Sequence, residues 1–315
     1  MMAAVLLLEP FYGGSHKVLM DSLYELLSKT NQNEAVELVT MSAKKWHWRA
    51  RTSALHFAEQ IPSDKSYRVI FASSILNLAE LLALRPEMAL ARKILYFHEN
   101  QLAYPIQEAK DRDFQFGYNQ ILSCLVADTV LFNSRHNMDS FLCNIDHFLK
   151  LIPDYRPKGL AKKILPKCRV LSFPVNFPKD LQSLPRMHHG CEDDASLHIV
   201  WAHRWEHDKN PVMFFRVVLQ LASEQLPFQL SVLGQGFSDV PDIFAQAYAQ
   251  LQCHIRKWGF VESKDEYYAI LSSAHVAVST ARHEFFGVAI GDSFFQVGGG
   301  LLWLHAFMSK WVSIS

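Results

Sequence analysis

Short apolar runs alternate along this chain with longer stretches whose apolar residues recur at helical spacing, and few architectures are compatible with that alternation. Val5–Leu8 reads as a first strand, Gly13-Gly14-Ser15 as a tight turn, and His16–Ser28 as a helix. In that helix Val18, Leu19, Leu23, Leu26 and Leu27 follow a 3.6-residue period. Val36–Thr40, Val69–Ala72, Ile94–Phe97 and Thr129–Phe132 continue the series as strands. Leu76–Leu84 and Gln115–Ala127 are helices between them, and Val170–Phe173 is a closing strand. Alternation of this kind argues for a parallel sheet covered by helices on both faces.

The pattern then stops and resumes. From Pro174 to Ser196 the chain carries three prolines, His188-His189-Gly190 and the acidic trio Glu192-Asp193-Asp194, with no apolar periodicity. A linker belongs there. Beyond it Leu197–Ala202, Phe228–Leu233, Ile255–Phe260 and Val276–Ser279 read as strands, and Pro211–Glu224, Pro241–Leu251 and Lys264–Ser272 as helices. The expected organisation is an N-terminal domain over 1–178, a linker over 179–196, a C-terminal domain over 197–292 and a divergent tail over 293–315. The fold class is α/β, with two doubly wound, Rossmann-like domains facing a cleft, the second of them expected to be incomplete.

Composition removes several function classes. With 31 basic and 31 acidic residues the chain has no net field that would advertise a nucleic-acid or membrane partner, although a local basic patch remains compatible with neutrality. Five scattered cysteines, without a CxxC pair, indicate neither a disulfide framework nor a zinc knuckle. Reduced thiols fit a cytoplasmic protein, with the nucleus as a second location. The run Ala3–Leu8 lacks the basic flank and cleavage site of a signal peptide. Leu301–Ile314 is interrupted by His305, Ser309 and Lys310, and falls short of the roughly 20 residues a membrane helix needs. No membrane association is expected, and the oligomeric state is open.

Three groups of polar residues follow strands, where open parallel sheets bind ligands. Gly13-Gly14-Ser15-His16 offers close backbone approach and a helix N-terminus to an anion, or is simply a tight turn. Ala202–Pro211 carries Arg204 and Lys209, a planar fork of donors and a compact point charge suited to a diphosphate; a solvated loop is the plainer alternative. Ser279–Gly287 holds Glu284, a carboxylate able to accept hydrogen bonds from sugar hydroxyls, or belongs to an ordinary polar loop.

Together, Arg-x4-Lys after the first strand of a C-terminal α/β domain and Glu-x-Phe-Gly about 80 residues later resemble the retaining GT-B glycosyltransferases of family 4. The resemblance implies that Arg204 and Lys209 hold the donor diphosphate and that Glu284 contacts the donor sugar. The second glutamate of the family's Glu-x7-Glu motif falls on Asp292, one methylene shorter, where the family contacts the ribose. Leu8–His16, Lys45-Trp46-His47-Trp48-Arg49, Phe97-His98-Glu99-Asn100-Gln101 and Phe132-Asn133-Ser134 are similar to the tRNA-queuosine mannosyltransferase family. That likeness implies GDP-mannose as donor, the queuosine of aspartate tRNA as acceptor, no metal cofactor, and retention of configuration. It runs from about residue 3 to Ala289. Beyond it, Gly298-Gly299-Gly300 breaks any helix, and the last fifteen residues are too few for the helix, strand and final helix the family would place there. An alternatively spliced or otherwise altered C-terminus, and a poor or inactive enzyme, are expected.

Some residues have two readings. His98 either contacts the donor sugar, as the resemblance implies, or caps a following helix. Lys44, Lys45, Arg49 and Arg51, interleaved with Trp46 and Trp48, either grip a tRNA backbone and stack on bases or form a solvated face with core tryptophans. Lys158, Lys162, Lys163, Lys167 and Arg169 read as solvated surface, and His188-His189 near Cys191 as linker rather than metal site. Two rival functions stay open: a catalytically silent form that binds nucleotide or a partner, and a GT-B transferase acting on a lipid or glycan.

Overall fold

A computed structural model describes residues 4–30, 35–103, 113–174, 196–236, 240–281 and, for the backbone alone, 301–303. The chain divides into two compact units, Met1–Pro174 and Val175–Ser315.

The first unit is a six-stranded, all-parallel sheet in the order β2-β1-β3-β4-β5-β6. Its elements run β1 (Ala4–Tyr12), α1 (Gly14–Thr30), β2 (Val36–Ser42), α2 (Trp46–Gln60), β3 (Tyr67–Ser73), α3 (Leu78–Leu84), β4 (Arg92–Phe97), α4 (Phe114–Val126), β5 (Thr129–Phe132), α5 (Arg135–Phe148), α6 (Leu160–Ile164) and β6 (Cys168–Val170). Leu6, Leu7 and Leu8 are all 0% exposed, so both faces of the sheet are covered. That double burial explains why β1 reads as an unbroken apolar run rather than an alternating one. The chain order reverses between β1 and β3, and loops splay apart there at the carboxyl ends of the strands.

Several expected boundaries move, each for a local reason. β1 runs to Tyr12 rather than stopping at Leu8, because the Glu9 carboxylate is itself buried and Glu9 keeps register with Thr40. α1 starts at Gly14, two residues before the expected His16. α3 begins at Leu78 rather than Leu76, since the Asn77 side chain caps it by accepting from Glu80 N at 3.3 Å. β6 lies over Cys168–Val170 rather than Val170–Phe173, held there by its pairing with Val130–Phe132. Three helices carry no expectation at all, the five-residue α6 and the longer α2 and α5. α2 buries a narrow stripe of small residues, Ala50, Ser53 and Ala54, with Phe57. α5 buries Asn137, Met138, Phe141 and Ile145 beneath a Ser134 cap. Lys167 is no solvated lysine: its ammonium donates to the carbonyls of Cys124, Leu125 and Ala127, closing the end of α4.

The second unit is a five-stranded parallel sheet in the order β11-β10-β7-β8-β9. Its elements are β7 (Leu197–Ala202), α7 (Pro211–Ser223), β8 (Phe228–Leu233), α8 (Ile243–Leu251), β9 (Ile255–Gly259), α9 (Lys264–Ser273), β10 (Val276–Ser279) and β11 (Leu301–Trp303). Pro211 occupies the first turn of α7, where its missing N–H costs nothing. One face packs Trp201, Phe214, Phe215 and Phe244, and the other packs Val200, Leu233, Leu271 and Ala277. The expectation that the tail supplies no strand is corrected by β11. Residues 301–303 pair in parallel with β10, Ala277 opposite Leu301 and Ser279 opposite Trp303. An open strand edge offers unpaired N–H and C=O groups, and three residues suffice to pair them. Among the described residues no helix is long and apolar enough to cross a membrane.

Candidate functional site

In the first unit the carboxyl ends of β1, β3 and β4 bring together a buried polar cluster. Glu9 is 0% exposed. Its carboxylate accepts from Phe11 N at 2.8 Å and Ser73 Oγ at 3.1 Å, and faces His16 Nδ1 at 3.1 Å. Three partners compensate the desolvation that burial imposes. His16 lies in the first turn of α1, with Nε2 3.8 Å from a Glu99 carboxylate oxygen. Its ring overlaps that of His98 at a centroid distance of 3.8 Å and a 32° tilt.

His98 directly follows β4 and is 6% exposed. Its carbonyl accepts from Asn133 Nδ2 at 2.6 Å and Asn137 Nδ2 at 3.3 Å, and Asn100 Nδ2 in turn donates to Asn137 Oδ1 at 2.8 Å. The backbone at His98 is therefore pinned to α5. Among the described residues its Nε2 is buried without a hydrogen-bond partner. The helix-capping alternative is not met, because residues 99–103 form no helix. The charges of the two rings diverge. Burial is the largest influence on His16 and acts to lower its pKa. The Glu9 carboxylate, by charge and hydrogen bond, and then Glu99 overcome that and raise it to about 10. Burial, reinforced by the charge on His16, holds His98 well below the usual histidine range. The cluster thus pairs an imidazolium with a neutral imidazole.

Ligand atoms of Glu9, His16 and His98 all lie within 4.8 Å of one another, a spacing open to a metal ion. The arrangement fits a proton network better. Nδ1 of His16 already faces Glu9, and overlapping rings carry their in-plane lone pairs side by side rather than toward one point.

Gly13 and Gly14 stand beside this cluster, each a glycine for its own reason. A Cβ on Gly13 would collide with the Cβ of Ala43, and Gly14 has φ +52°. The basic stretch separates into two sets. Lys44, Lys45 and Trp48 face solvent, Trp48 at 61% exposure. Trp46 packs edge-on to Phe116 at 5.0 Å, Arg49 donates to the Ser42 carbonyl at 3.0 Å, and the Arg51 guanidinium lies 4.5 Å over the Phe116 ring.

In the second unit the switch of strand order falls between β7 and β10. Arg204 and Lys209 follow β7. Arg204 pairs with Glu206 at 3.3 Å with its side chain half exposed, whereas Lys209 is largely buried against Asp208 at 3.0 Å. Thr280, just past β10, donates to the Lys209 carbonyl at 2.8 Å and accepts from Trp201 Nε1 at 3.0 Å. This chain of bonds fixes the Lys209 backbone against the neighbouring strand end. Gly234, with φ +140°, lets the loop after β8 touch the His203 carbonyl, which a Cβ would strike. His203 is pushed down to about 3 by burial, then by the Lys209 and Arg204 charges.

Glu284 and Asp292 lie outside the described residues, as do linker residues 179–195 and the tail apart from 301–303. Glu9 and the partnership of His16 with His98 carried no sequence expectation. The available signal was a carboxylate directly continuing the buried Val5–Leu8 run.

Solved structures similar in fold include glycosyltransferases of the GT-B type. The lipopolysaccharide outer core galactosyltransferase WaaB in its apo form superposes with a TM-score of 0.61 at 10% identity, covering 95% of this chain and 80% of that one. A trehalose-6-phosphate enzyme from E. coli bound with UDP-2-fluoro glucose gives 0.62 at 10% identity, covering 95% and 84%. Anabaena Alr3699/HepE in complex with UDP gives 0.55 at 14% identity, covering 95% and 79%. The family model for the N-terminal part of tRNA-queuosine alpha-mannosyltransferase matches residues 4–175. A tRNA-queuosine alpha-mannosyltransferase of Drosophila melanogaster is 47% identical over 294 residues, spanning 92% of this chain and 77% of the fly protein. With the family's N-terminal model matched across the first unit and such a relative aligned along most of both chains, this chain belongs to the tRNA-queuosine alpha-mannosyltransferase family.

Proposed function

We propose that the protein transfers mannose from GDP-mannose to the queuosine of aspartate tRNA, with retention of configuration and without a metal. The observation that carries this reading is the 47% identity to a tRNA-queuosine alpha-mannosyltransferase over 92% of the chain. In the reaction the bond between the mannose C1 and the diphosphate oxygen breaks, and GDP leaves with the electron pair. A bond from C1 to an acceptor hydroxyl forms, and the hydroxyl proton passes to the departing phosphate.

Arg204 and Lys209 are assigned to the diphosphate. Both follow β7, and the tie through Thr280 pre-orders the loop, so charge developing on the leaving group meets donors already in place. His98 and Glu284 are assigned to the sugar hydroxyls, Asp292 to the ribose, and the amides at Gly13-Gly14 to the donor phosphates. Lys44, Lys45 and Trp48, exposed at the start of α2, suit a tRNA backbone and an unstacked base.

The test is incubation with GDP-mannose and queuosine-modified aspartate tRNA, followed by nucleoside mass spectrometry. A hexose added to queuosine, absent with unmodified tRNA, is expected. Transfer from UDP-sugars instead, or mannose on a lipid, would replace this reading.

A further inference from the structure

We propose that Glu9 and His16 are positioning residues for His98, the Glu9-anchored ring of His16 holding the His98 imidazole in one plane and one uncharged form with its free Nε2 kept for a sugar hydroxyl. The role of His98 toward sugar rests on the function proposed above; the device that holds it does not.

Four observations converge. Glu9 is completely buried within β1, three residues before its end, a costly place for a carboxylate with only a structural role. Its oxygens are filled by Phe11 N, Ser73 Oγ and His16, so His16 is tethered to two strands at once. The His16 ring lies against His98 at 3.8 Å, while Tyr96 at 5.0 Å and Phe173 at 6.0 Å wall other sides of the His98 ring. His98 Nε2 is buried and unpartnered, a state that costs roughly 1–3 kcal/mol unless a ligand supplies the partner.

The electrostatics follow from the same neighbours. Among the described residues, the titratable groups facing the pair are Glu9 from β1, Glu99 beyond β4 and Tyr96 from β4. The first two carboxylates lie at His16, and the Tyr96 ring, whose hydroxyl donates to the Leu171 carbonyl, lies at His98. A charged His16 therefore takes the carboxylates, and its charge opposes a second proton on the ring stacked upon it. A neutral imidazole keeps one nitrogen as donor and the other as acceptor, whereas an imidazolium loses the acceptor. Deleting the His16 charge would leave Glu9 uncompensated beside His98 and favour the wrong, protonated form.

Selective 13C,15N-histidine labelling with assignment by substitution tests this directly, with no substrate present. In the wild-type protein His16 should keep imidazolium shifts up to about pH 10, and His98 should stay in one neutral tautomer below the ordinary histidine range. Glu9→Gln and His16→Gln should each let His98 take a proton at higher pH and sample both tautomers. Glu9→Asp should restore much of the wild-type pattern. In mannosyl transfer the same two variants should move the acid limb of kcat/KM to higher pH and lose about tenfold to a hundredfold overall. Near-UV circular dichroism selects folded variants; should Glu9→Gln not fold, His16→Gln and the wild-type titration decide. A wild-type His98 that protonates in the ordinary range, or His98 shifts unmoved in a folded variant, would overturn the proposal. Stoichiometric zinc shifting both rings together would overturn it in favour of a metal centre. Wild-type protein with the expected titration but no transfer would leave the device standing and remove the proposed function instead.

Discussion

Arg204 and Lys209 stand five residues apart after β7 yet differ in environment: the arginine is half exposed beside Glu206, the lysine is buried beside Asp208. A buried ammonium and the carboxylate beside it depend on one another, so substituting Lys209 confounds binding with stability. Arg204 is the cleaner probe. Arg204→Ala should weaken GDP binding by ~1.5–3 kcal/mol, the range for charge-assisted hydrogen bonds, with thermal stability little changed. Calorimetry with GDP checks this, and an unchanged affinity in a folded variant would remove Arg204 from the diphosphate. The placement of both residues at a strand end was legible from sequence, because β7 reads as an apolar run and Pro211 marks the next helix. Glu9 was barely legible: its place directly after the Val5–Leu8 run is the one linear signal, and the three partners that keep it inside arrive from residues 11, 16 and 73.

The strands were easier to read than the helices at the level of elements. A parallel strand covered on both faces needs only continuous hydrophobicity, and Leu6–Leu8 or Ile199–Trp201 provide it. α2 hides because Phe57 is the one large apolar residue in a buried stripe of Ala50, Ser53 and Ala54, and α5 because Asn137 shares its stripe with Met138, Phe141 and Ile145. In α5 the side-chain amide of Asn137 donates to the His98 carbonyl and to Asn133 Oδ1, a role that periodicity cannot reveal. Its start is fixed by Ser134, whose Oγ accepts from Asn137 N at 3.0 Å. Ser134→Ala should cost about 1 kcal/mol of stability, read as a lower urea midpoint. On α2 the acceptor prediction becomes narrower than the sequence suggested, since Arg49 and Arg51 already have intramolecular partners. Lys44→Gln with Lys45→Asn removes the two exposed charges, and asparagine tolerates the φ of +52° at position 45. For every phosphate that a removed lysine had neutralised, the salt slope of tRNA binding should fall by roughly 0.7–0.9, with GDP binding intact. A slope equal to wild type would place the tRNA elsewhere.

Across the whole molecule, buried histidines of opposite character set how stability depends on pH. His198 hydrogen-bonds Ser231 Oγ at 2.8 Å and is lowered to about 4 by burial first, the hydrogen bond to the Ser273 carbonyl opposing and the Arg256 and His275 charges adding. His203 is lowered to about 3, and His98 is lowered as well. For these three the unfolded chain binds the proton first as pH falls below about 6.5. Their contribution is therefore present above that pH and is lost progressively on acidification down to the folded values. His16 has the opposite sign. Raised to about 10, it holds its proton in the folded state where the unfolded chain has released it. Its contribution is full below about 6.5 and disappears as pH rises toward 10. The two trends cross near pH 6.5, so the urea midpoint should peak there and fall on both sides. The acid limb draws on both units, His198 and His203 in the second and His98 in the first, whereas the alkaline limb comes from His16 in the first. His16→Gln should flatten the alkaline limb and leave most of the acid limb, and His198→Gln should soften the acid limb alone. Urea unfolding at pH 5, 6.5 and 9 measures all of this. A midpoint constant across that range, or an alkaline limb that survives His16→Gln, would show that the charge on His16 is not coupled to folding.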